Sequence, residues 1–327
     1  MDRLNKEKLV NILKQFKDKK VLVVGDIMLD KYIWGDVSRI SPEAPVQIVH
    51  VMKETFAPGG ASNVGNNISS LSGKVMMVGI AGDDHAKNVL LEDLKKRSIN
   101  TNGIFLDKDK PTTQKVRIIG KGQQLLRVDY EDKEHIHKTI EKSIMDYIEK
   151  TIKEVDVVVI ADYAKGVITP EISASLIKLA KENNKEVIVD PKPNHRDLYA
   201  NATLITPNSL EACKMTDFDE VNDANATEIG SKLMKYLNTN VLITRGNKGM
   251  SLFEKDGSKT HIPTSAREVY SLIGAGDTVI ATIALAVASG ANFKDAAILA
   301  NIAAGIKLGK IGTASVSIDE IMKELVS

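Results

Sequence analysis

The chain has 327 residues, 43% hydrophobic and 27% charged, an ordinary composition for a folded protein that excludes a disordered, collagen-like or disulfide-stapled chain. Forty-four Lys and Arg stand against 43 Asp and Glu, so a formal net charge of +1 gives no global basic field for nucleic acid or an anionic membrane. The single cysteine, Cys213, has no partner for an intramolecular disulfide and points to a reducing, cytoplasmic setting.

The N-terminal segment carries Leu4, Leu9, Ile12, Leu13 and Phe16 at near-helical spacing. It has no uninterrupted apolar core and does not read as a signal peptide. The longest apolar runs, Val155–Ala161 and Thr278–Ser289, fall well short of the roughly 20 residues a membrane span needs. From there, β-branched runs alternate with amphipathic ones. Lys20–Gly25, Val75–Ile80, Val155–Ile160, Glu186–Val189, Thr203–Thr206 and Val241–Thr244 read as buried strands. Asn63–Leu71, Ala86–Arg97, Lys133–Lys153, Pro170–Asn183 and Thr227–Leu237 read as helices between them, followed by Asp277–Ser289, Phe293–Leu308 and Ser317–Leu325. Such alternation predicts an α/β fold, a mostly parallel sheet with helices on both faces. Lys31–Val51 and Thr112–Tyr130 break the rhythm: strand-like, without an intervening helix, and not continuously hydrophobic. They predict a small antiparallel lid outside the main layer, the second segment turning near Gly120–Gly122.

The sharpest local feature is Gly274-Ala275-Gly276-Asp277-Thr278, a glycine-rich turn opening a helix. Its amides and the positive end of the helix dipole suit an anion. Two readings of Asp277 stand at this level: a helix cap, or a base that takes the proton of a hydroxyl attacking a phosphoryl group. Pro58-Gly59-Gly60-Ala61-Ser62-Asn63 is either an ordinary tight turn or a close approach to a sugar. Asp26 and Asp30 follow the first strand, at the end where open α/β sheets bind ligands. His195, near Asp190, Lys192 and Arg196, reads as a solvated loop histidine. The third glycine of GxGxxG is missing, and Gly305–Lys310 is too short for a P-loop.

Together these stretches resemble the ribokinase/PfkB family of carbohydrate kinases, and within it the bacterial branch acting on D-glycero-β-D-manno-heptose 7-phosphate. The resemblance runs from Lys20 to Ser317 and is sharpest at Val23–Val46, Pro58–Leu71, Gln123–Glu131, Ala161–Val167, Thr206–Ala212 and Gly274–Thr278. It implies a ribokinase-like three-layer α/β/α fold, with residues 1–327 as a single kinase domain and a lid formed by about 31–52 and 112–130. It also implies that Asp277 deprotonates the sugar hydroxyl while the amides of Gly274, Ala275 and Gly276 form an anion hole. Asn208 and Glu211 would match the family's NxxE near Mg2+ and ATP, with no direct protein ligand to the metal assigned. Thr244, Gly246 and Asn301 would flank the nucleotide, and Asp30, Gly59, Gly60, Asn63 and Asp162 would meet the sugar. The implied reaction is ATP-dependent phosphorylation of the anomeric hydroxyl to give the 1,7-bisphosphate, a step of ADP-heptose (lipopolysaccharide core) biosynthesis.

A sugar carrying a phosphate needs Arg or Lys at its far end; Arg117, Arg127, Lys165 and Lys192 are the candidates. Bifunctional relatives add a nucleotidyltransferase domain, of which no HxGH-type motif is seen, so a kinase alone is expected. Ser271 stands where the family usually has an Asp that helps hold a monovalent cation, which makes potassium activation doubtful. A homodimer through the lid is expected, with Ile33, Trp34, Ile40, Ile118 and Leu126 at the contact, and neither nucleic acid nor a membrane as partner.

Overall fold

In the computed structural model, which describes residues 3–265, 270–310 and 314–326, the strands are β1 (Lys20–Gly25), β2 (Ile27–Ile40), β3 (Gln47–Gly60), β4 (Lys74–Ala81), β5 (Asn100–Leu106), β6 (Gln114–Gly120), β7 (Gln123–Tyr130), β8 (Val157–Ala161), β9 (Glu186–Asp190), β10 (Leu204–Ile205), β11 (Asn240–Thr244), β12 (Met250–Phe253) and β13 (Lys259–Ile262). The helices are α1 (Arg3–Lys14), α2 (Ala61–Ser70), α3 (His85–Lys96), α4 (Lys138–Thr151), α5 (Pro170–Glu182), α6 (Ser209–Thr216), α7 (Ala226–Leu237), α8 (Ala275–Ala288), α9 (Phe293–Leu308) and α10 (Ile318–Val326).

The large sheet has the order β13-β12-β11-β10-β9-β8-β1-β4-β5, parallel except for β12 and β13 at one edge. Strand β1 shows why the sheet is covered on both faces. Val21 and Val23 pack into the layer of α1, α2, α3, α8, α9 and α10, while Leu22 and Val24 pack into that of α4, α5, α6 and α7. Between β1 and β8 the backbones crowd at Gly25, where a Cβ would lie 2.0 Å from the Ala161 carbonyl oxygen. After β1 the chain builds outward through β4 and β5, then returns to the other side of β1 as β8. That reversal of strand order leaves a crevice at the carboxyl ends of β1 and β8, where α/β sheets bind ligands.

The lid sheet has the order β3-β2-β6-β7. Its hairpins are antiparallel, and β6–β7 turns through Lys121 and Gly122, both at positive φ, as a two-residue type I′ turn requires. The two hairpins meet through a parallel β2–β6 pairing, because they come from segments separated by a long crossover. The expectation of an antiparallel lid therefore holds within each hairpin but not at their junction. The lid is also longer than expected: β2 starts at Ile27, and its root is buried through Asp30.

The helix expected from Lys133 begins only at Lys138. Asp132 accepts the Glu134 amide, and Lys110 binds both the Asp132 carboxylate and the Glu134 carbonyl, holding this stretch out of the helix. Trp34 does not share a face with Ile33, Ile118 and Leu126, which are cross-strand partners. It lies on the opposite face, stacked near Tyr32 with its indole N–H donated to Thr55.

Candidate active site

Three parallel strands end in a carboxylate: Asp26 after β1, Asp162 after β8 and Asp190 at the end of β9. The Asp26 carboxylate accepts backbone N–H groups from Tyr163 (2.8 Å), Lys165 (3.2 Å) and Val167 (3.1 Å), so the loop after β8 is wrapped around it. Burial and neighbouring Asp162 push its pKa up to about 6 despite these bonds. Asp162 is fully buried and accepts from the Ala164 amide, the Tyr199 hydroxyl and His195 Nδ1 (2.7 Å each). His195 is thus no free loop residue. Its hydrogen bond to Asp162 raises its pKa above the ordinary value, burial opposing.

Asp277 sits in the first turn of α8. The helix N-cap is Gly274, at φ +75° and with no side-chain cap, so the capping reading of Asp277 is set aside. Its carboxylate points into the crevice instead. Oδ2 accepts from Asn63 Nδ2 (2.5 Å) and Oδ1 from the Tyr163 hydroxyl (2.6 Å). Burial raises the Asp277 pKa; the two hydrogen bonds and Lys192 oppose, and Asp30 adds to the rise. A side chain at Gly274 would meet Asn63 Nδ2 at 3.0 Å in addition to its strained φ, whereas above Gly276 the space is open. The positive end of α8 thus faces open space beside Gly276 that suits an anion, with the Ala275 N–H directed to the Leu272 carbonyl (3.4 Å).

Helix α2 holds this turn in place. Asn63 opens toward Asp277, and one turn on, Asn67 accepts the Thr278 hydroxyl (2.8 Å) and donates to the Asn63 carbonyl (2.8 Å). Gly60 caps α2 at φ +53°, and Gly59 lies against Asp30, whose carboxylate would be 2.9 Å from a Cβ there. Asp30 in turn accepts from Arg117 Nη1 (2.6 Å), whose guanidinium lies over the Tyr32 ring at 5.2 Å. Arg127, directly across from Arg117 in the β6–β7 register, is half exposed and pairs with Asp129 at 2.9 Å. Lys165 pairs with Glu131 (2.6 Å) and Lys192 with Glu211 (3.2 Å), the Lys192 ammonium also lying 5.2 Å from the Tyr163 ring centroid. Burial works against the Lys192 charge, but Glu211 and Asp190 outweigh it and its pKa is raised.

On the other side of the crevice, Asn208 and Glu211 form a reciprocal capping box at the start of α6 (3.0 Å each way). Asn208 also bridges to Thr244, the last residue of β11, and Gly246 follows at φ +57°. Asn301 on α9 donates to the Pro263 carbonyl (2.8 Å) and its own carbonyl accepts from Ser265 (2.7 Å), so its amide holds the segment after β13. Asp190 is raised to about 8 by burial, Asp277 and Glu211, with Lys192 and Tyr163 opposing. The Glu211 carboxylate, whose present partner is Lys192, is the group here that fits a cation carried by a nucleotide.

The structure thus brings Asp277, Gly274, Ala275, Gly276, Asn63, Asp30, Gly59, Gly60 and Arg117 to one side of the crevice. Asp162 lies inside the loop rather than on the surface, and Arg127 at the lid's rim. Sequence reasoning passed over Tyr163, Asn67 and Asp190. The repeated pattern of an apolar run closed by Asp, in VVGD, VIAD and VIVD, would have marked the last of these.

An α/β crevice with a carboxylate poised beside a helix-terminal anion site is the arrangement of a phosphotransferase acting on a hydroxyl. Residues 18–320 match the pfkB family carbohydrate kinase, and the chain belongs to that family. It is 41% identical over 323 residues to the "Bifunctional protein HldE" of Geobacter metallireducens, covering 98% of this chain and 65% of that one. It is 42% identical over 311 residues to the protein of the same name from Desulfatibacillum aliphaticivorans, covering 95% and 64%. The chain therefore spans a little under two thirds of the length of these relatives. In fold it is similar to Arabidopsis thaliana ribokinase complexed with ribose and ATP (TM-score 0.74, 20% identity, 94% and 98% covered). It is also similar to phosphofructokinase-2 from Escherichia coli in its tetrameric inhibited form (TM-score 0.76, 16% identity, 94% and 98% covered).

Proposed function

We propose that this carbohydrate kinase transfers the γ-phosphoryl group of ATP to the anomeric hydroxyl of D-glycero-β-D-manno-heptose 7-phosphate, giving the 1,7-bisphosphate. The observation that carries the reading is the Asp277 carboxylate, aimed into the crevice in the first turn of α8, beside the open space at Gly276, and held by groups from two other segments. The kinase chemistry rests on the family; the heptose rests on the sequence resemblance and on relatives named HldE.

Asp277 accepts the proton of the attacking hydroxyl. Its raised pKa brings it closer to the working range of a general base than an exposed aspartate would be. The amides of Gly274, Ala275 and Gly276 face the oxygens of the transferred group. Asp30, with Gly59 and Gly60 leaving room beside it, binds sugar hydroxyls, as Asn63 does while it orients Asp277; Asp162 shapes the loop from within. Arg117, Lys165 and Lys192 take the 7-phosphate, exchanging their present carboxylate partners for it, with Arg127 as an outer attraction. Thr244, Gly246, Asn208, Glu211 and Asn301 lie on the nucleotide side. Mg2+, when bound with ATP near Glu211, supplies neutralisation of phosphate charge.

Ser271 Oγ accepts the Ile273 amide at 3.3 Å and brings no carboxylate to a monovalent cation, so a weak potassium response belongs to the same reading. So do residues 1–327 acting as one kinase domain, a cytoplasmic location, the absence of nucleic-acid and membrane partners, and a homodimer through the lid. No helix among the described residues is long and apolar enough to cross a membrane. Exposed Ile40, Val51, Met52, Phe56 and Leu126 support the lid contact. The test is an ADP-release assay with purified protein against a panel of sugars and sugar phosphates. Efficient turnover of ribose or fructose with no response to heptose 7-phosphate refutes the substrate.

A further inference from the structure

We propose that Tyr163 is a positioning residue for the base: its hydroxyl fixes the Asp277 carboxylate and keeps it ionised at the pH where the enzyme works. The proposal rests on the kinase reading above and adds to it a residue that no feature of that reading requires.

Asp277 stands where an ionised carboxylate is costly, because it is desolvated and faces Asp30 on β2 and Asp190 on β9, two further carboxyl groups. The cationic groups facing it are Lys192 after β9 and Lys307 on α9. Among the described residues its two hydrogen-bond donors are neutral, Asn63 and Tyr163, one for each oxygen. Asn63 comes from α2, where Asn67 donates to its backbone carbonyl (2.8 Å) and its side-chain oxygen receives only a 3.4 Å contact from Asn66. Tyr163 comes from the loop after β8, and three features give it a fixed direction. Its backbone N–H is held by the buried Asp26 carboxylate (2.8 Å), Ala164 beside it is at φ +54°, and its ring lies under the Lys192 ammonium at 5.2 Å.

The phenol is suited to the role. Burial and the surrounding carboxylates, Asp277 first among them, push its pKa well above the ordinary value, so it keeps its proton and acts as donor throughout the working range. A hydrogen bond to the charged form of a carboxylic acid lowers its pKa, and this one opposes the burial that raises Asp277. With both oxygens held, the carboxylate cannot rotate. Each oxygen keeps a further lone pair, one of which can receive the sugar hydroxyl proton.

The test compares the natural protein with Tyr163→Phe and with 3-fluorotyrosine placed at position 163, a stronger donor of nearly the same size. In Tyr163→Phe we expect kcat to fall about tenfold or more with the sugar-phosphate KM little changed, and the acid limb of the kcat–pH profile to move up by about one pH unit. The fluorinated protein should move that limb the other way. Side-chain carboxyl 13C NMR titration of Asp277, assigned with Asp277→Asn, reads the same shifts without substrate. It therefore separates failure of this inference from failure of the kinase reading, which the natural protein's own turnover decides. If Tyr163→Phe fails to fold, the fluorinated protein still gives a signed answer. An Asp277 titration and acid limb that stay in place in the folded variants overturn the proposal.

Discussion

Asp277→Asn separates chemistry from architecture. The amide keeps the shape of the carboxylate but replaces one acceptor oxygen with a donor NH2 group. Tyr163 can still donate to the remaining oxygen, whereas Asn63 Nδ2, now 2.5 Å from the other position, would face a second donor. A flip of the Asn63 amide, whose Oδ1 holds only a long 3.4 Å contact from Asn66, restores a donor–acceptor pair. Against the loss of one charged hydrogen bond stands the removal of a desolvated charge that faces Asp30. The sign is fixed by linkage: a carboxyl whose folded pKa is raised costs stability when ionised at neutral pH, so neutralising it offsets the lost bond. Urea denaturation should therefore place the variant within about 1 kcal/mol of the natural protein. The kinase rate should fall by at least about 10²-fold, the usual scale for loss of a general base. The assay is ADP release at saturating sugar phosphate. A variant retaining a tenth or more of kcat refutes the base assignment, and a large loss of stability with an intact rate would show Asp277 to be structural.

Gly25→Ala puts a methyl 2.0 Å from the Ala161 carbonyl between two central strands; we expect a loss of about 3 kcal/mol or more in urea denaturation, and a neutral result would mean the strands part easily. Asp26, with its folded pKa raised to about 6 from 3.8, contributes stability at low pH that is lost as pH rises through about 6. Between about pH 5 and pH 7.5 the stability advantage of the natural protein over Asp26→Asn should shrink by roughly 1.4 kcal/mol, and a growing gap contradicts the sign. Initial rates in potassium and in a bulky organic cation should nearly coincide, and Ser271→Asp should open a difference between them; strong stimulation of the natural protein refutes that reading. Light scattering at micromolar concentration should give a dimer that Leu126→Asp converts to monomer, and an unchanged dimer excludes the lid hairpin from the interface.

What could be read from sequence was decided by how local each signal is. The strand Lys20–Gly25 and the helix from Phe293 to Leu308 coincide with the reading because a predominantly apolar run, short and β-branched in the one and long and alanine-rich in the other, marks each without help from the rest of the chain. Helix α6 went unnoticed although Asn208-x-x-Glu211 is a capping-box signature, because its helix is short and weakly amphipathic. Strands β5 and β13 are the two edges of the sheet and only partly buried, and β12 beside β13 is apolar but only four residues long, too short to stand out as a run. The parallel β2–β6 junction and the turned-away Trp34 depend on pairing register between distant segments, which local patterning does not contain. The same holds in the site. The glycine turn and Asp277 are contiguous and legible; the bonds from Asn63 and Tyr163 exist only once three separate segments have met.

That meeting sets when the molecule becomes an enzyme. Asn63 and Asp277 are 214 positions apart and Tyr163 and Asp277 are 114, so the reacting carboxylate is bound by some of the most distant contacts in the fold. Such contacts are the slowest to close, since the chain entropy between them must be surrendered first. A nascent chain that has finished β1, the lid and β8 owns the crevice and its loop but is chemically silent until α8 docks on α2. On gentle heating, turnover and the packing of this layer should be lost together, because α2 and α8 bury their apolar side chains in the same cluster as β1.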